Sequence, residues 1–224
     1  MDEGKLLSEY FKGEMSFAFN ETEILTPFNQ DITYFIRAII KTNINKLIDM
    51  ITNMPYPEIN SYSIPQFSNY VHGTKELVEI LNIIGNSGLS YLDVGKYLLS
   101  GNRKKEAYIK YGENHAKLAE LHDLVIIRKN SLRKAYNTVL GSATLSLLQP
   151  DLDILLTKLS LKIPIIKKLI IIAHEKKTSI SNTIEFLSKS TLERRKPNII
   201  YLLNKIFNNA EFENIKLKNN LILE

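Results

Sequence analysis

TKELVEILNIIGNSGLSYLDVGKYLLSGNRKKEAYIKYGENHAKLAELHDLVIIRKNSLRKAYNTVL, residues 74–140, decides the fold. Lys75–Ile84 carries apolar residues at helical spacing and stops at Gly85-Asn86-Ser87-Gly88, a run of turn formers. Ser90-x-x-Asp93 has the form of a capping box and opens a second, shorter helix to about Leu99, where Gly101-Asn102 breaks it. Arg103–Leu121 reads as a third helix, or as a pair divided at Gly112. Tyr108, Tyr111, His115, Leu118, Ala119 and His122 lie along one side of it. Leu124–Ile127 and Ala135–Leu140 are strand-like, and Arg128–Lys134 joins them with four bases in seven residues and no acid.

Three helices followed by a basic hairpin is the order of a winged helix, in which the third helix enters the DNA major groove. Residues 149–224 are expected to repeat the order. Leu152–Ala173 is helical or, near its end, a strand, Ser179 or Ser181 caps a short helix through Leu187, and Ser190-x-x-Glu193 opens a helix to Phe207 along Ile199, Leu202, Leu203 and Ile206. FENIKL and NLILE, joined at Lys218-Asn219-Asn220, are expected to form a second hairpin over residues 212–223. Toward the N-terminus, residues 30–53 form an amphipathic helix, and the Pro-, Ser- and Tyr-rich stretch 54–73 is the natural boundary. The expected class is therefore mostly α (α+β). A helical, acidic N-terminal segment (1–70) precedes tandem winged helix modules at 71–148 and 149–224.

Charge supports this division. Residues 1–70 hold nine acids against five bases, while residues 154–205 hold eleven bases against three glutamates, a net of +8. A basic segment of this kind suits a polyanion. With no cysteine in 224 residues, a disulfide framework and a thiolate zinc site are excluded. The opening MDEGKLLSEYFKGE is acidic and lacks an apolar core, so no secretory leader is expected. The longest apolar run, Leu169–Ala173, is far too short for a membrane span, so no membrane partner and a cytoplasmic location are expected.

The candidate DNA contacts fall in two groups. Arg194, Arg195, Lys196 and Asn198 stand at the entry of the later helix, where side chains reach base edges. Lys104, Lys105, Lys110, Asn114 and Lys117 lie off the apolar stripe of the earlier one, and Arg128, Lys129, Arg133 and Lys134 decorate its hairpin. Tyr108, Tyr111 and Tyr136 have the chemistry to stack on bases, but their spacing favours the core. A competing enzyme reading uses Asp151, Glu175 and Lys177. Two carboxylates on adjacent strands would hold Mg²⁺ beside a lysine, and LIIIAHEKK resembles the corresponding strand of the restriction-type nuclease fold. No other cofactor is expected. The histidines (His72, His115, His122, His174) have no zinc-like spacing with acids, and no Gly-rich phosphate loop is present.

Arg103–Gly141, with AYIKYGENHAKLAELHDLV, a hairpin and VLG, resembles the winged helix modules found beside type II restriction endonucleases. STLERRKPNIIYLLNKI resembles the second module of that group, although Pro197 and Tyr201-Leu202 depart from its usual residues. The resemblance covers roughly residues 75–224. It implies sequence-specific binding of double-stranded DNA in a restriction-modification or phage-defence setting, with a nuclease, a methyltransferase or a second copy of the chain as partner. Transcription regulators and plasmid replication initiators also use winged helices.

Overall fold

The computed structural model describes residues 2–17, 30–67, 70–129 and 131–223. Segment 18–29, residues 68–69, Asn130 and the side chains of Gln30, Val71 and His72 lie outside the described residues. The chain is mostly helical. In order, its elements are α1 (Glu3–Lys12), α2 (Gln30–Lys41), α3 (Ile44–Thr52), α4 (Tyr70–Ile84), β1 (Leu89–Ser90), α5 (Tyr91–Leu98), α6 (Lys105–Leu121), β2 (Val125–Lys129), β3 (Arg133–Asn137), α7 (Val139–Thr144), α8 (Gln149–Leu159), α9 (Pro164–Glu175), β4 (Thr178–Ser179), α10 (Ile180–Thr183), α11 (Lys189–Phe207), α12 (Ile215–Asn220) and β5 (Leu221–Ile222). No described helix is long and apolar enough to cross a membrane.

These elements form two compact units. One comprises residues 16–34 and 66–153, the other residues 1–15, 35–65 and 154–224. The boundaries expected at 70 and 148 therefore do not delimit the compact units. The N-terminal helices α1 and α3 pack with the C-terminal part of the chain: α3 lies on α9, and the Lys167 ammonium donates to Phe11 O at 2.9 Å.

In the unit of residues 66–153, α4 buries Leu77, Val78 and Leu81. Gly85 and Gly88, both at positive φ, turn the chain into β1. Ser90 caps α5 as expected, its Oγ accepting from Asp93 N and donating to the Asp93 carboxylate. Gly112 does not break α6. It is instead the point of closest approach to α5: a Cβ there would stand 2.0 Å from Tyr91 O, and one on Gly95 would stand 1.8 Å from Tyr108 O. Asp123, at φ 58°, reverses the chain into the hairpin. β2 and β3 pair antiparallel from Val125↔Asn137 to Lys129↔Arg133, and β1 adds to the other edge of β3, giving the order β1-β3-β2. The second strand thus ends earlier than its apolar run, because the Thr138 hydroxyl accepts from Gly141 N and starts α7. Tyr108, Tyr111 and Tyr136 are half-buried, neither core nor free.

In the other unit, α9 is the central helix, with Ile165, Ile166, Leu169, Ile170, Ile171 and Ala173 all buried. Four expectations need correction here. First, the helix expected over 30–53 is broken at Thr42-Asn43, where Asn43 caps α3. The break leaves the Ile40 and Thr42 carbonyls without helical donors. The fully buried Lys158 ammonium satisfies both at 2.7 Å and meets the Glu211 carboxylate at 3.0 Å. Second, Leu152–Ala173 is not one helix: a 3₁₀ turn at Ser160–Lys162 separates α8 from α9, and Pro164 opens α9 without needing its missing N–H. Third, α11 begins at Lys189 with Ser188 as its cap, so Ser190-x-x-Glu193 forms no capping box. Fourth, no hairpin forms over 212–223. Asn214 caps the helix α12, and β5 instead pairs in parallel with β4. The helical turn buries Leu217 completely and leaves Ile215 71% exposed, whereas strand alternation would have placed both on one face.

Candidate nucleic-acid interface

The earlier group of predicted residues comes together on one unit. Lys104 and Lys105 are exposed at the start of α6. Lys110 and Lys117, one turn on either side of Glu113, both bind its carboxylate, at 2.9 and 2.7 Å. Burial alone would raise the Glu113 carboxyl, but the hydrogen bonds from Lys117 and Lys110 outweigh it and hold the group below its ordinary value. This stretch of α6 therefore keeps a single net positive charge while its lysines stay ordered. Asn114, beside them, is half-buried.

The hairpin carries the sharper feature. Its register places Arg128 opposite Lys134 and Lys129 opposite Arg133, with no acid on either strand. Like charges directly opposed across strands are destabilising. The structure eases one pair: the Arg128 guanidinium lies over the Tyr136 ring, 5.6 Å from its centroid, and the Lys134 ammonium donates to Ser87 O at 3.0 Å. Lys129 and Arg133 are exposed at the surface, and the Arg133 guanidinium also hydrogen-bonds the Tyr91 hydroxyl.

What presents α6 is a set of groups that the sequence motifs did not reveal. Gly95 and Gly112 let α5 and α6 touch backbone to backbone. Tyr91 is buried at that crossing, and its hydroxyl is pushed up by burial against the pull of Arg133. Two histidines sit beneath α6. The His122 Nδ1 donates to Leu118 O at 2.9 Å, which leaves Nε2 to accept from the Tyr70 hydroxyl at 3.0 Å. The fully buried His115 ring lies against Gly73, and neither of its nitrogens has a hydrogen-bond partner among the described residues. Burial lowers the pKa of each to about 4, against the opposing hydrogen bond to Leu118 in the case of His122. Both are therefore neutral at pH 7. A wrong-spaced pair of glycines and a lone buried tyrosine carry no motif, so only the packing exposes these roles.

The later group is arranged differently. Arg195 turns inward, its guanidinium donating to Ser61 O and Ile64 O. Asn198 reaches Pro65 O at 3.4 Å, and Lys196 donates to the Ser181 hydroxyl at 3.0 Å. These three residues hold segment 61–65 and α10 in place. Arg194 is exposed.

The strand geometry of the nuclease reading is not present. LIIIAHE lies in the helix α9, with Glu175 its last residue, and Asp151 lies in the first turn of α8. The Glu175 carboxylate accepts from the Tyr56 hydroxyl at 2.6 Å, and that bond raises the Tyr56 pKa. Lys177 follows α9 and is exposed. No group of three His, Cys, Asp or Glu suited to a metal ion occurs among the described residues. No known protein family, curated protein or solved structure matches this chain.

Proposed function

We propose that the chain binds double-stranded DNA, and that the unit of residues 66–153 is a winged helix, with α6 in the major groove and the β2–β3 hairpin on the phosphate backbone. The element order α4-β1-α5-α6-β2-β3 and the sheet order β1-β3-β2 support this reading. The observation that carries it is the pair of facing base-on-base couples, Arg128↔Lys134 and Lys129↔Arg133, beside the exposed Lys104 and Lys105. Partners within the fold relieve Arg128, Lys134 and Arg133 only in part, and a row of phosphates would relieve these opposed charges, Lys129 above all, further. In this reading Lys110, Asn114 and Lys117 face the groove, and Glu113 fixes the two lysines before contact.

The unit built around α9 takes a lesser share in duplex contact than its charge along the sequence suggests. Arg195, Lys196 and Asn198 are engaged within the fold, which leaves Arg194 to reach DNA. The restriction-modification or phage-defence setting, with a nuclease, methyltransferase or second copy as partner, belongs to the proposal through the resemblance of Arg103–Gly141 alone. Incubation with methylated and unmethylated plasmid plus Mg²⁺, scored for retention and for cleavage, tests it. Retention without cleavage that depends on methylation is the expected result. Failure to retain either plasmid at about 50 mM salt contradicts duplex binding, and equal retention of both points to a regulator or initiator.

A further inference from the structure

A groove of about 890 Å³ opens on the unit built around α9. Lys168, Lys176, Lys177, Glu58, Glu185 and the 51% exposed Phe186 ring all line it. None of these five charged side chains makes a salt bridge or side-chain hydrogen bond among the described residues, although all line one groove. Lys168 lies on α9, whereas Lys176 caps the C-terminal end of that helix in an extended conformation and Lys177 follows it. Three lysines lining one groove suit a ligand that carries several phosphates.

We propose that this groove binds single-stranded DNA, with the lysine rail on the phosphodiester backbone and Phe186 as a stacking platform for one base. A basic groove with an aromatic face is the arrangement by which single strands are held without base pairing. The carboxylates of Glu58 and Glu185 can accept hydrogen bonds from exocyclic amines, which adenine, cytosine and guanine carry and thymine lacks, so oligothymidine binds most weakly. The groove lies in a different unit from the proposed duplex-binding face and does not rest on that reading.

The test is fluorescence anisotropy of the full chain with labelled 20-mers of single-stranded DNA at about 50 mM salt. A double Lys176→Ala, Lys177→Ala variant changes only exposed side chains, and it is expected to weaken single-strand binding at least tenfold. Phe186→Ala is expected to weaken it by about 5- to 150-fold, the range of one lost base stack. Lys129→Ala with Arg133→Ala, on the other unit, should leave single-strand affinity unchanged. Duplex affinity should show the reverse pattern, so failure of one assignment is visible apart from failure of the other. Unchanged affinity in both groove variants overturns the proposal. So does tenfold tighter binding of an RNA strand of the same sequence, or displacement of the strand by dAMP with no dependence on strand length, since either would make the ligand something other than a DNA strand.

Discussion

Gly95 and Gly112 decide how α6 is presented. A methyl group on Gly112 meets a backbone oxygen, not a side chain that can swing away. Gly112→Ala should therefore cost about 3 kcal/mol of overpacking, of which helix propensity returns about 1. A urea titration should show a net loss of about 2 kcal/mol, and a gain would mean that the two helices do not touch at this point. The buried histidines make a separate prediction about acid. Each is neutral in the fold with a pKa of about 4, and unfolding restores it to about 6.5. The unfolded chain thus binds more protons between these values. Stability is full above pH 6.5, falls as the pH drops toward 4, and levels off below, by on the order of 3 kcal/mol per histidine. His115→Leu removes a titrating ring and two buried nitrogens that lack partners. It should flatten the fall between pH 6.5 and 4.5 without lowering stability at pH 7.5. An unaltered slope would show that His115 is already solvated in the folded state.

At the level of elements, the sequence was most legible where local chemistry and packing agree. The α4-α5-α6-hairpin order of residues 74–137 follows from periodicity, from Gly85 and Gly88 as turn formers and from the Ser90 cap, all local. The joint between α2 and α3 was not legible, because the ammonium that satisfies its carbonyls comes from Lys158, more than a hundred residues away. FENIKL and NLILE read as two strand-like runs around Lys218-Asn219-Asn220, yet the first of them enters the helix α12. Burial of Leu217 together with the Asn214 cap chose the helix. The Lys158 joint predicts a large and asymmetric effect. Lys158→Met leaves the Glu211 carboxylate and two carbonyls without their partner and should cost about 3–5 kcal/mol. Glu211 is partly exposed, so Glu211→Gln should cost about 1 kcal/mol or less. Equal losses in the two variants would mean that the ion pair, and not the carbonyl contacts, holds the joint. The hairpin behaves in the opposite sense. Removing one of two opposed bases with Lys129→Ala should raise the stability of its unit by about 0.2–1 kcal/mol, measurable by hydrogen exchange across β2 and β3.

Across the whole molecule, the basic patches were legible as charge but not as geometry. The segment 154–205 carries a net +8, yet Lys158, Lys167, Arg195 and Lys196 are all turned to carbonyls, a carboxylate or a hydroxyl within the fold. Charge counted along the sequence cannot distinguish a cation that ties a loop from one that awaits a phosphate. The same limit applies to Glu175 and Lys177, whose E-x-K spacing suggested a strand that folds instead as the end of a helix.

The most direct test of the central claim is the salt dependence of binding to a mixed-sequence duplex, for the natural chain and for Lys129→Ala and Arg133→Ala. With about six phosphates engaged through α6 and the hairpin, log affinity should fall against log salt with a slope of about −5. Each substitution should weaken binding to every duplex sequence and flatten that slope by about one. Absence of binding at about 50 mM salt, or a slope that neither substitution changes, would contradict the claim that this face of the molecule holds DNA.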